Sequence, residues 1–83
     1  MIDEWISLLT TGGIMNIGKN IKQLRRQKHY TQAQVAENLG ISYQAVSKWE
    51  NDISAPDIAL LPAIAEMFGV TIDALFSDNV IVH

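Results

Sequence analysis

The sequence predicts an all-α domain built from five short helices. Apolar residues recur at spacings of three and four along most of the 83 residues, as they do on one face of a helix. Glycines and helix-capping residues divide this pattern into short segments. Outside a β-branched run near the C-terminus, no stretch alternates with the two-residue period of a strand. A chain of this length makes one small domain, which buries about 60% of its unfolded surface.

Predicted helix 1 covers about residues 17–28. Ile17, Ile21 and Leu24 lie on one face of it, and the aliphatic stem of Lys28 completes the stripe. The other basic side chains of the segment lie around the remaining sides. We therefore expect one side of this helix to pack on the core and the other to form a charged surface.

Predicted helix 2 begins at Thr31. The Thr31 hydroxyl can accept a hydrogen bond from a free amide of the first turn, and Gln34, three residues later, completes a capping-box pattern. Its inner face comprises Val35, Ala36 and Leu39. Gly40 follows at a position where helices end in the left-handed conformation, which glycine adopts at little cost.

Predicted helix 3 spans about residues 43–51, with Ser42 as its N-cap. Val46 and Trp49 are three residues apart and are expected to face the core. The spacing leaves open whether Ile53 joins them. Because Trp49 faces inward, we interpret its ring as part of the core and not as a platform for stacking bases.

Pro62 determines where predicted helix 4 begins, since a proline inside a helix costs roughly 3 kcal/mol. We expect Pro62 in the first turn, where its missing N–H has no helical partner to lose. An irregular or 3₁₀ segment over 57–60 should lead into it. The helix should then run to about Phe68 and end at Gly69.

Predicted helix 5 is the short segment 71–76, with Thr71 as its cap and with Leu75 and Phe76 closing the core. The C-terminal tail, 77–83, carries the β-branched run. The tail is expected either as a disordered end or as an edge strand that pairs across a dimer, and the behaviour of termini in general favours the first.

An N-terminal extension over 1–14 precedes the main domain, which we place at 15–76. The extension has the i, i+3, i+4, i+7 spacing of a short amphipathic helix, formed by Ile2, Trp5, Ile6 and Leu9. The linker TTGG separates it from Met15. Two interpretations stay open: Met15 is the true start of the protein, or the short helix is native and packs on a partner chain.

Charge is distributed unevenly along the chain. The formal net charge is −3, but all six basic residues lie between positions 19 and 48, and residues 15–52 contain only three acidic ones. A local basic face suffices for contact with phosphates, so the sign of the whole chain does not exclude nucleic acid. The same basic segment is equally compatible with the solvated side of a helix.

Composition argues against several classes of protein. The chain has no cysteine and two histidines, His29 and His83, neither of them in a metal-ligand spacing, so no metal or other cofactor is predicted. Nothing resembles a nucleophile elbow, a phosphate-binding glycine loop or a paired-carboxylate site, and an enzyme is not predicted. No stretch approaches about 20 apolar residues, and the acidic N-terminus is unlike a signal peptide. We expect a cytoplasmic, nucleoid-associated protein with no membrane partner.

The segment TQAQVAENLGISYQAVSKWE, residues 31–50, joins two predicted helices by a short turn that contains glycine. Helices connected in this way cross at about 90–120°. Their close approach requires a small residue, which Ala36 supplies, while Val46 and Trp49 anchor the second helix on the core side. The outer face of that helix stays polar, which suits a helix that enters the major groove and reaches base edges.

Residues 17–76 resemble the phage repressor and Cro type of helix-turn-helix domain, often called Xre-like. The matching stretches are TQAQVA, NLGIS, AVSKWEN and IAEMFGVTIDALF, in this order along the chain. Five residues fall at the family's spacing, namely Gln32, Ala36, Gly40, Val46 and Glu50. The resemblance implies a five-helix lambda-repressor-like DNA-binding domain, extended by an N-terminal helix if residues 1–14 form one, with double-stranded DNA as the partner.

The resemblance also implies roles for the polar residues of the DNA-binding surface. Gln32 corresponds to a residue that contacts a phosphate and braces the recognition helix. Gln44 corresponds to a base-reading position, where a glutamine amide can bond adenine bidentately. Tyr43 and Lys48 match the other outward positions: Tyr43 contacts a base, contacts the backbone or packs its ring on the helix, and Lys48 reads guanine or touches only phosphate. Asn51 corresponds to a residue that contacts the DNA backbone.

Three further assignments complete the site. Arg25 and Glu50 correspond to a pair that forms a salt bridge between helix 1 and helix 3 in relatives, which would make Arg25 structural. Ser42 and Ser47 belong to the polar face of the recognition helix. Ser42 serves first as an N-cap and second as a donor to a phosphate.

The predicted function is sequence-specific transcription regulation, as a repressor, by a homodimer that places helix 3 in the major groove. Its half-sites should lie about one helical turn apart, roughly 34 Å. The dimer surface is expected at helix 5, at the tail or at residues 1–9. Two alternatives stay open: an antitoxin that also regulates its own expression, and an interaction adaptor that no longer binds DNA. The sequence assigns no small-molecule effector.

Overall fold

The computed structural model describes residues 16–77. In this range the chain forms four α-helices, α1 (Asn16–Gln27), α2 (Gln32–Leu39), α3 (Tyr43–Glu50) and α4 (Leu61–Phe68), with 3₁₀ segments at Ile58–Leu60 and Asp73–Phe76. The described range contains no strand, and the predicted all-α class is confirmed. The predicted N-terminal extension and the tail beyond residue 77 lie outside the described residues.

The core forms where the inner faces of the four α-helices meet. Burial of each aliphatic or aromatic side chain there stabilises the fold by about 1.5–3 kcal/mol. Leu39 is half-buried and packs against this core. Apart from Leu39 and Lys28, the residues predicted to face inward from the first three helices lie in it, together with side chains from α4 and the second 3₁₀ segment: Ile17, Ile21, Leu24, Val35, Ala36, Val46, Trp49, Leu61, Ile64, Ala65, Phe68 and Leu75.

One expectation about the core is wrong, and one position that the spacing left open lies outside the core. Lys28 is exposed, because α1 ends at Gln27 and the stem of Lys28 therefore does not continue the buried stripe. Ile53 is 71% exposed, because the chain turns out of α3 at Asp52, whose φ is 60°. In both cases the helix ends before the residue in question, one residue before Lys28 and three residues before Ile53.

In the segments after α3, Pro62 and Thr71 lie at the helix starts where the sequence predicts them. Pro62 lies in the first turn of α4, and the 3₁₀ segment Ile58–Leu60 leads into it as predicted. Predicted helix 5 is a 3₁₀ segment and not an α-helix, and the Thr71 Oγ1 accepts a hydrogen bond from the Ala74 amide at 3.2 Å. No helix in the described range is long and apolar enough to cross a membrane.

All four α-helices end in the same backbone motif. In each, the N–H of a left-handed residue donates to the carbonyl three residues earlier, and the next N–H donates to the carbonyl five residues earlier. Gly40 and Gly69 hold this position in α2 and α4, both with φ of 70°. His29 and Asp52 hold it after α1 and α3, with φ of 62° and 60°. The sequence predicts the two glycine ends only, because a left-handed histidine or aspartate carries no comparable signal.

Replacing His29 with glycine is expected to raise the free energy of unfolding by about 0.5–1 kcal/mol. A side chain in the left-handed region costs about 1–2 kcal/mol, and part of that gain is lost to the greater freedom of glycine in the unfolded chain. Thermal unfolding followed by circular dichroism measures the change. Gly40→Ala is the control of opposite sign, since it adds a Cβ in the same conformation. An unchanged or lower midpoint for His29→Gly would contradict the expectation.

Candidate nucleic-acid interface

The unit formed by α2, the turn and α3 is set by local hydrogen bonds. The Thr31 Oγ1 accepts from the Gln34 amide at 3.0 Å, and the Gln34 Oε1 accepts from the Thr31 amide at 2.8 Å, so both bonds of the predicted capping box form. Gly40 makes the left-handed turn between the helices. The Ser42 Oγ accepts from the Ala45 amide at 3.3 Å and caps α3. These contacts orient the first turn of α3.

The side chains of α3 divide into a buried and an exposed side. Val46 and Trp49 are buried in the core and fix the helix from behind. Tyr43 is 52% exposed, and Gln44 and Lys48 are exposed on the surface. A helix anchored on one side and polar on the other has the form that a major groove admits.

The remaining polar residues of the predicted surface already have partners within the helix. Ser47 is half-buried, and the Nδ2 of Asn51 donates to its carbonyl at 2.9 Å and lies 3.4 Å from its Oγ. The Ser42 hydroxyl is engaged as the cap of α3. Gln44 and Lys48 differ from them, because no hydrogen bond joins their exposed side chains to another described residue.

Glu50 joins α1, α2 and α3 through one buried carboxylate. Arg25 of α1 donates to it twice, from Nε to Oε2 at 2.6 Å and from Nη2 to Oε1 at 3.0 Å. Gln32, the first residue of α2, donates from Nε2 to Oε1 at 3.0 Å. The side chains of Arg25 and Glu50 are only 13% and 2% exposed. This bidentate contact with the carboxylate fixes the orientation of the guanidinium and neutralises its charge.

Arg25 also donates from Nη1 to the carbonyl of Tyr30 at 2.9 Å, which ties the turn after α1 to the same cluster. The structure therefore brings Arg25, Gln32 and Glu50 together at the C-terminal end of α3. Gln32 is half-buried and directs its amide nitrogen toward Glu50. This contact braces α3 from α2.

The other basic residues of α1 form a stripe beside α3. Lys19, Lys22 and Arg26 follow the i, i+3, i+7 spacing of one helix side. By helix periodicity this stripe adjoins the side that carries Gly18 and Arg25, which contacts α3. Three of the six basic residues thus lie on the side of α1 that adjoins its contact with α3, while Arg25 is neutralised by its carboxylate partner.

Two residues of α1 with structural roles, Gly18 and Asn20, were not singled out from the sequence. A Cβ on Gly18 would lie 1.9 Å from the backbone oxygen of Trp49, so α1 and α3 approach closely only because residue 18 has no side chain. Asn20 is 1% exposed and donates from Nδ2 to the carbonyls of Leu75 at 2.8 Å and Ser77 at 2.6 Å. The burial of Asn20 was predictable, because it lies three residues after Ile17 and therefore on the buried side of helix 1.

Two helices linked by a glycine turn, the second of them anchored by apolar residues and polar outside, define a helix-turn-helix domain. A family model described as "Helix-turn-helix" matches residues 21–75, more than half of the chain. The protein belongs to this helix-turn-helix family.

Curated relatives of known name match about four fifths of the chain. The chain is 42% identical over 65 residues to the HTH-type transcriptional activator BcrR of Enterococcus faecalis, covering 78% of this chain and 32% of BcrR. It is 36% identical to the antitoxin PezA of Streptococcus pneumoniae over 78% of this chain and 42% of PezA. It is 28% identical to the immunity repressor of Bacillus phage phi105 over 82% of this chain and 47% of the repressor. The chain thus spans less than half the length of these relatives.

Solved structures share the same arrangement of helices. A LexA SOS-response transcriptional repressor from Eubacterium rectale superimposes with a TM-score of 0.71 at 20% identity, over 82% of this chain and 73% of that one. This likeness shows the fold alone. The hydroxypropylphosphonic acid epoxidase of S. wedmorenis matches with a TM-score of 0.72 at 27% identity, over 89% of this chain and 43% of the epoxidase.

Proposed function

We propose that this chain is the DNA-binding part of a sequence-specific transcription regulator, acting as a repressor without catalysis, that places α3 in the major groove. The observation that carries the proposal is the exposed Gln44 and Lys48 on a helix whose opposite side is locked into the core by Val46 and Trp49. The likeness to the activator BcrR and to the phi105 immunity repressor supports transcription regulation, and the second of them supports repression. DNA binding would take place in the cytoplasm, at the nucleoid.

Individual residues take distinct roles in this proposal. Gln44 pairs bidentately with an adenine, and Lys48 contacts guanine or a phosphate. Tyr43 adds a contact at the N-terminal end of α3. Gln32 and Asn51 contact the DNA backbone, and Gln32 does so while its amide nitrogen holds Glu50.

The two serines have smaller parts in the interface. Ser42 can add a phosphate contact through its hydroxyl proton while its oxygen caps α3, because a hydroxyl both donates and accepts. Ser47 is half-buried, so it contributes at the edge of the surface. Neither is expected to contribute as much to specificity as Gln44.

The charge of α1 favours phosphate contact beside the reading face. Lys19, Lys22 and Arg26 form a basic stripe that adjoins the α3 side of α1. One domain offers few base contacts, so we propose a homodimer that binds two half-sites roughly 34 Å apart. A palindromic duplex should therefore bind much more tightly than a single half-site at the same salt concentration.

Gln44→Ala is expected to weaken binding to the selected duplex by about 5- to 150-fold, the equivalent of the 1–3 kcal/mol that a bidentate base contact contributes. Lys48→Ala should weaken it as well, and the double variant should lose sequence preference. The duplex is first obtained by selection from a random pool, and Kd is then measured by fluorescence anisotropy.

Gln27→Ala is the matched control for Gln44→Ala. Gln27 is also an exposed glutamine, but it lies half a turn round α1 from Gly18, on the side away from α3. Its replacement should leave Kd unchanged, and thermal midpoints should stay equal in all four variants. If no duplex is retained at 50 mM salt, or if Gln27→Ala weakens binding as much as Gln44→Ala, the proposal fails and the interaction-adaptor alternative gains support.

Binding should weaken steeply as salt increases. A homodimer that makes about 6–10 phosphate contacts loses roughly 10³- to 10⁵-fold in affinity between 50 and 200 mM salt, because bound counterions are released on association. The slope of log K against log salt, measured on the same duplex, counts those contacts. A flat response over this range would argue against DNA as the partner.

A second candidate function is an antitoxin that represses its own promoter. The likeness to PezA favours it. Both functions use the same reading face, so they differ in the protein partner and not in the DNA site. Stoichiometric co-purification of a small protein encoded beside this chain, together with release of growth inhibition when the two are co-expressed, would support the antitoxin. Purification of the chain alone from its native host would favour the simple regulator.

A further inference from the structure

Asn20 anchors the chain where it leaves the second 3₁₀ segment. Its side chain is 1% exposed, and its Nδ2 donates to the carbonyls of Leu75 and Ser77. Its Oδ1 is buried and has no hydrogen-bond partner among the described residues. Because both neighbouring groups are carbonyls, exchanging the amide nitrogen and oxygen would not satisfy it. The buried Asn20 Oδ1 therefore lacks a hydrogen-bond donor in the described range, and a donor that satisfies it has to lie close to Ser77.

An open apolar groove of about 250 Å³ lies beside this anchor. Its lining residues are Ile17, Ala55, Pro56, Ile58, Leu61 and Phe76. Ile58 is 81% exposed, the largest exposed fraction among the bulky apolar side chains of the described range. Ile17 lies one turn of α1 before Asn20 on the same side, about 5 Å away along the axis. Phe76 lies between the two residues whose carbonyls Asn20 holds.

We propose that residues 78–83 of this chain dock on the anchor and the groove in an extended conformation. The backbone N–H of Asn79 donates to the Asn20 Oδ1, and the apolar residues that begin at Val80 cover Ile17, Ile58 and Phe76. In an extended chain the carbonyl of residue i and the N–H of residue i+2 point the same way, and in a parallel ladder both bond to a single residue of the neighbouring strand. The Asn20 amide takes the place of that residue, with the N–H that donates to Ser77 as its donor and Oδ1 as its acceptor.

Chain length and composition favour this occupant over others. Six residues follow Ser77, and they include three consecutive β-branched apolar ones, 80–82. Val80 is three residues beyond Ser77, so it reaches up to about 10 Å from the anchor, enough to pass Ile17. A second copy of the chain could cover the apolar groove, but it would not by itself bring an amide to Asn20. This inference is independent of the DNA-binding proposal.

The absence of cysteine from the sequence permits a direct test in the full chain. Ile58→Cys combined with Val80→Cys should form an intramolecular disulfide at low protein concentration with oxidised glutathione, measured as a mass loss without dimer formation. Gln34→Cys with Val80→Cys is the control, since Gln34 is exposed on α2 and does not line the groove. We expect at least a tenfold faster reaction for the first pair. Equal rates, or a predominantly intermolecular disulfide, would overturn the proposal, and the second result would assign the groove to another copy.

The hydrogen bond itself is tested by a pair of variants at residue 79. Asn79→Pro removes the backbone N–H, whereas Asn79→Ala keeps it. We expect the proline variant to unfold about 4–8 °C lower than the alanine variant, the shift of one net hydrogen bond in a domain of this size. Equal midpoints, together with rapid hydrogen exchange at the Asn79 amide of the unmodified chain, would mean that water satisfies Asn20 and that the tail does not dock.

Discussion

Replacing Glu50 with alanine is expected to lower the free energy of unfolding by about 3–5 kcal/mol, because it leaves the largely buried Arg25 without its counter-charge. The same change removes the acceptor of Gln32, so three hydrogen bonds that join α1, α2 and α3 are lost together. For a domain of this size the melting midpoint should fall by at least about 12 °C. Chemical and thermal unfolding of the variant measure both quantities.

Two controls separate this effect from a general loss of negative charge. Glu37→Ala removes an exposed acid from α2 and should change stability by no more than about 0.5 kcal/mol. A double replacement, Arg25→Met with Glu50→Leu, removes both charges and should recover much of the loss, since apolar residues of similar size can replace a buried pair. If Glu50→Ala proved as stable as Glu37→Ala, the cluster would not hold the three helices together.

Replacing Gly18 with alanine is expected to destabilise the protein by about 1–3 kcal/mol or more, as overpacking of a close helix contact does. The added Cβ would lie 1.9 Å from the Trp49 oxygen and 2.9 Å from the Asp52 Oδ1. The first of these is a backbone atom of α3, so relief requires the two helices to separate. Intrinsic helix propensity predicts the opposite sign, a gain of about 0.8–1.0 kcal/mol for alanine over glycine.

The sign of the Gly18 effect makes it a sharp test. Alanine and glycine compared at exposed Gln23 in the same helix report propensity alone, and alanine should be the more stable there. Gly18→Ala should reverse that order in urea unfolding at 25 °C. It should also weaken DNA binding, because the shift moves α3 against α2. A variant more stable than the parent would show that the helices can separate without loss.

The helix-turn-helix unit was predictable because short-range signals specify it. The Thr31 capping box, the left-handed Gly40 and the Ser42 cap each act within three residues of their own position, and all three form as the sequence predicts. Pro62 likewise specifies the first turn of α4. The roles proposed for Gln44 and Lys48 at DNA stay predictions, and their exposure on α3 is what the structure adds to them.

The features that the sequence analysis missed depend on the positions of atoms outside the element in question. Ile53 has the spacing of a core residue, yet a left-handed Asp52 turns it outward. Asn20 looks like an ordinary polar residue of a charged helix until the chain returns, more than fifty positions later, to place two carbonyls against its amide. Apolar spacing cannot report such contacts, because it describes one element at a time.

The sequence by itself determined the helices, the caps at Thr31, Gly40, Ser42 and Gly69, and the division of α3 into a core side and a polar side. Hydrogen bonds and periodicity within a few residues decide these features. Tertiary structure alone decided how closely α1 approaches α3 at Gly18, which donors meet the Glu50 carboxylate, and where the chain after Phe76 is anchored. These depend on distances between residues far apart in sequence, where one methyl group or one unpaired oxygen changes which packing has the lower free energy.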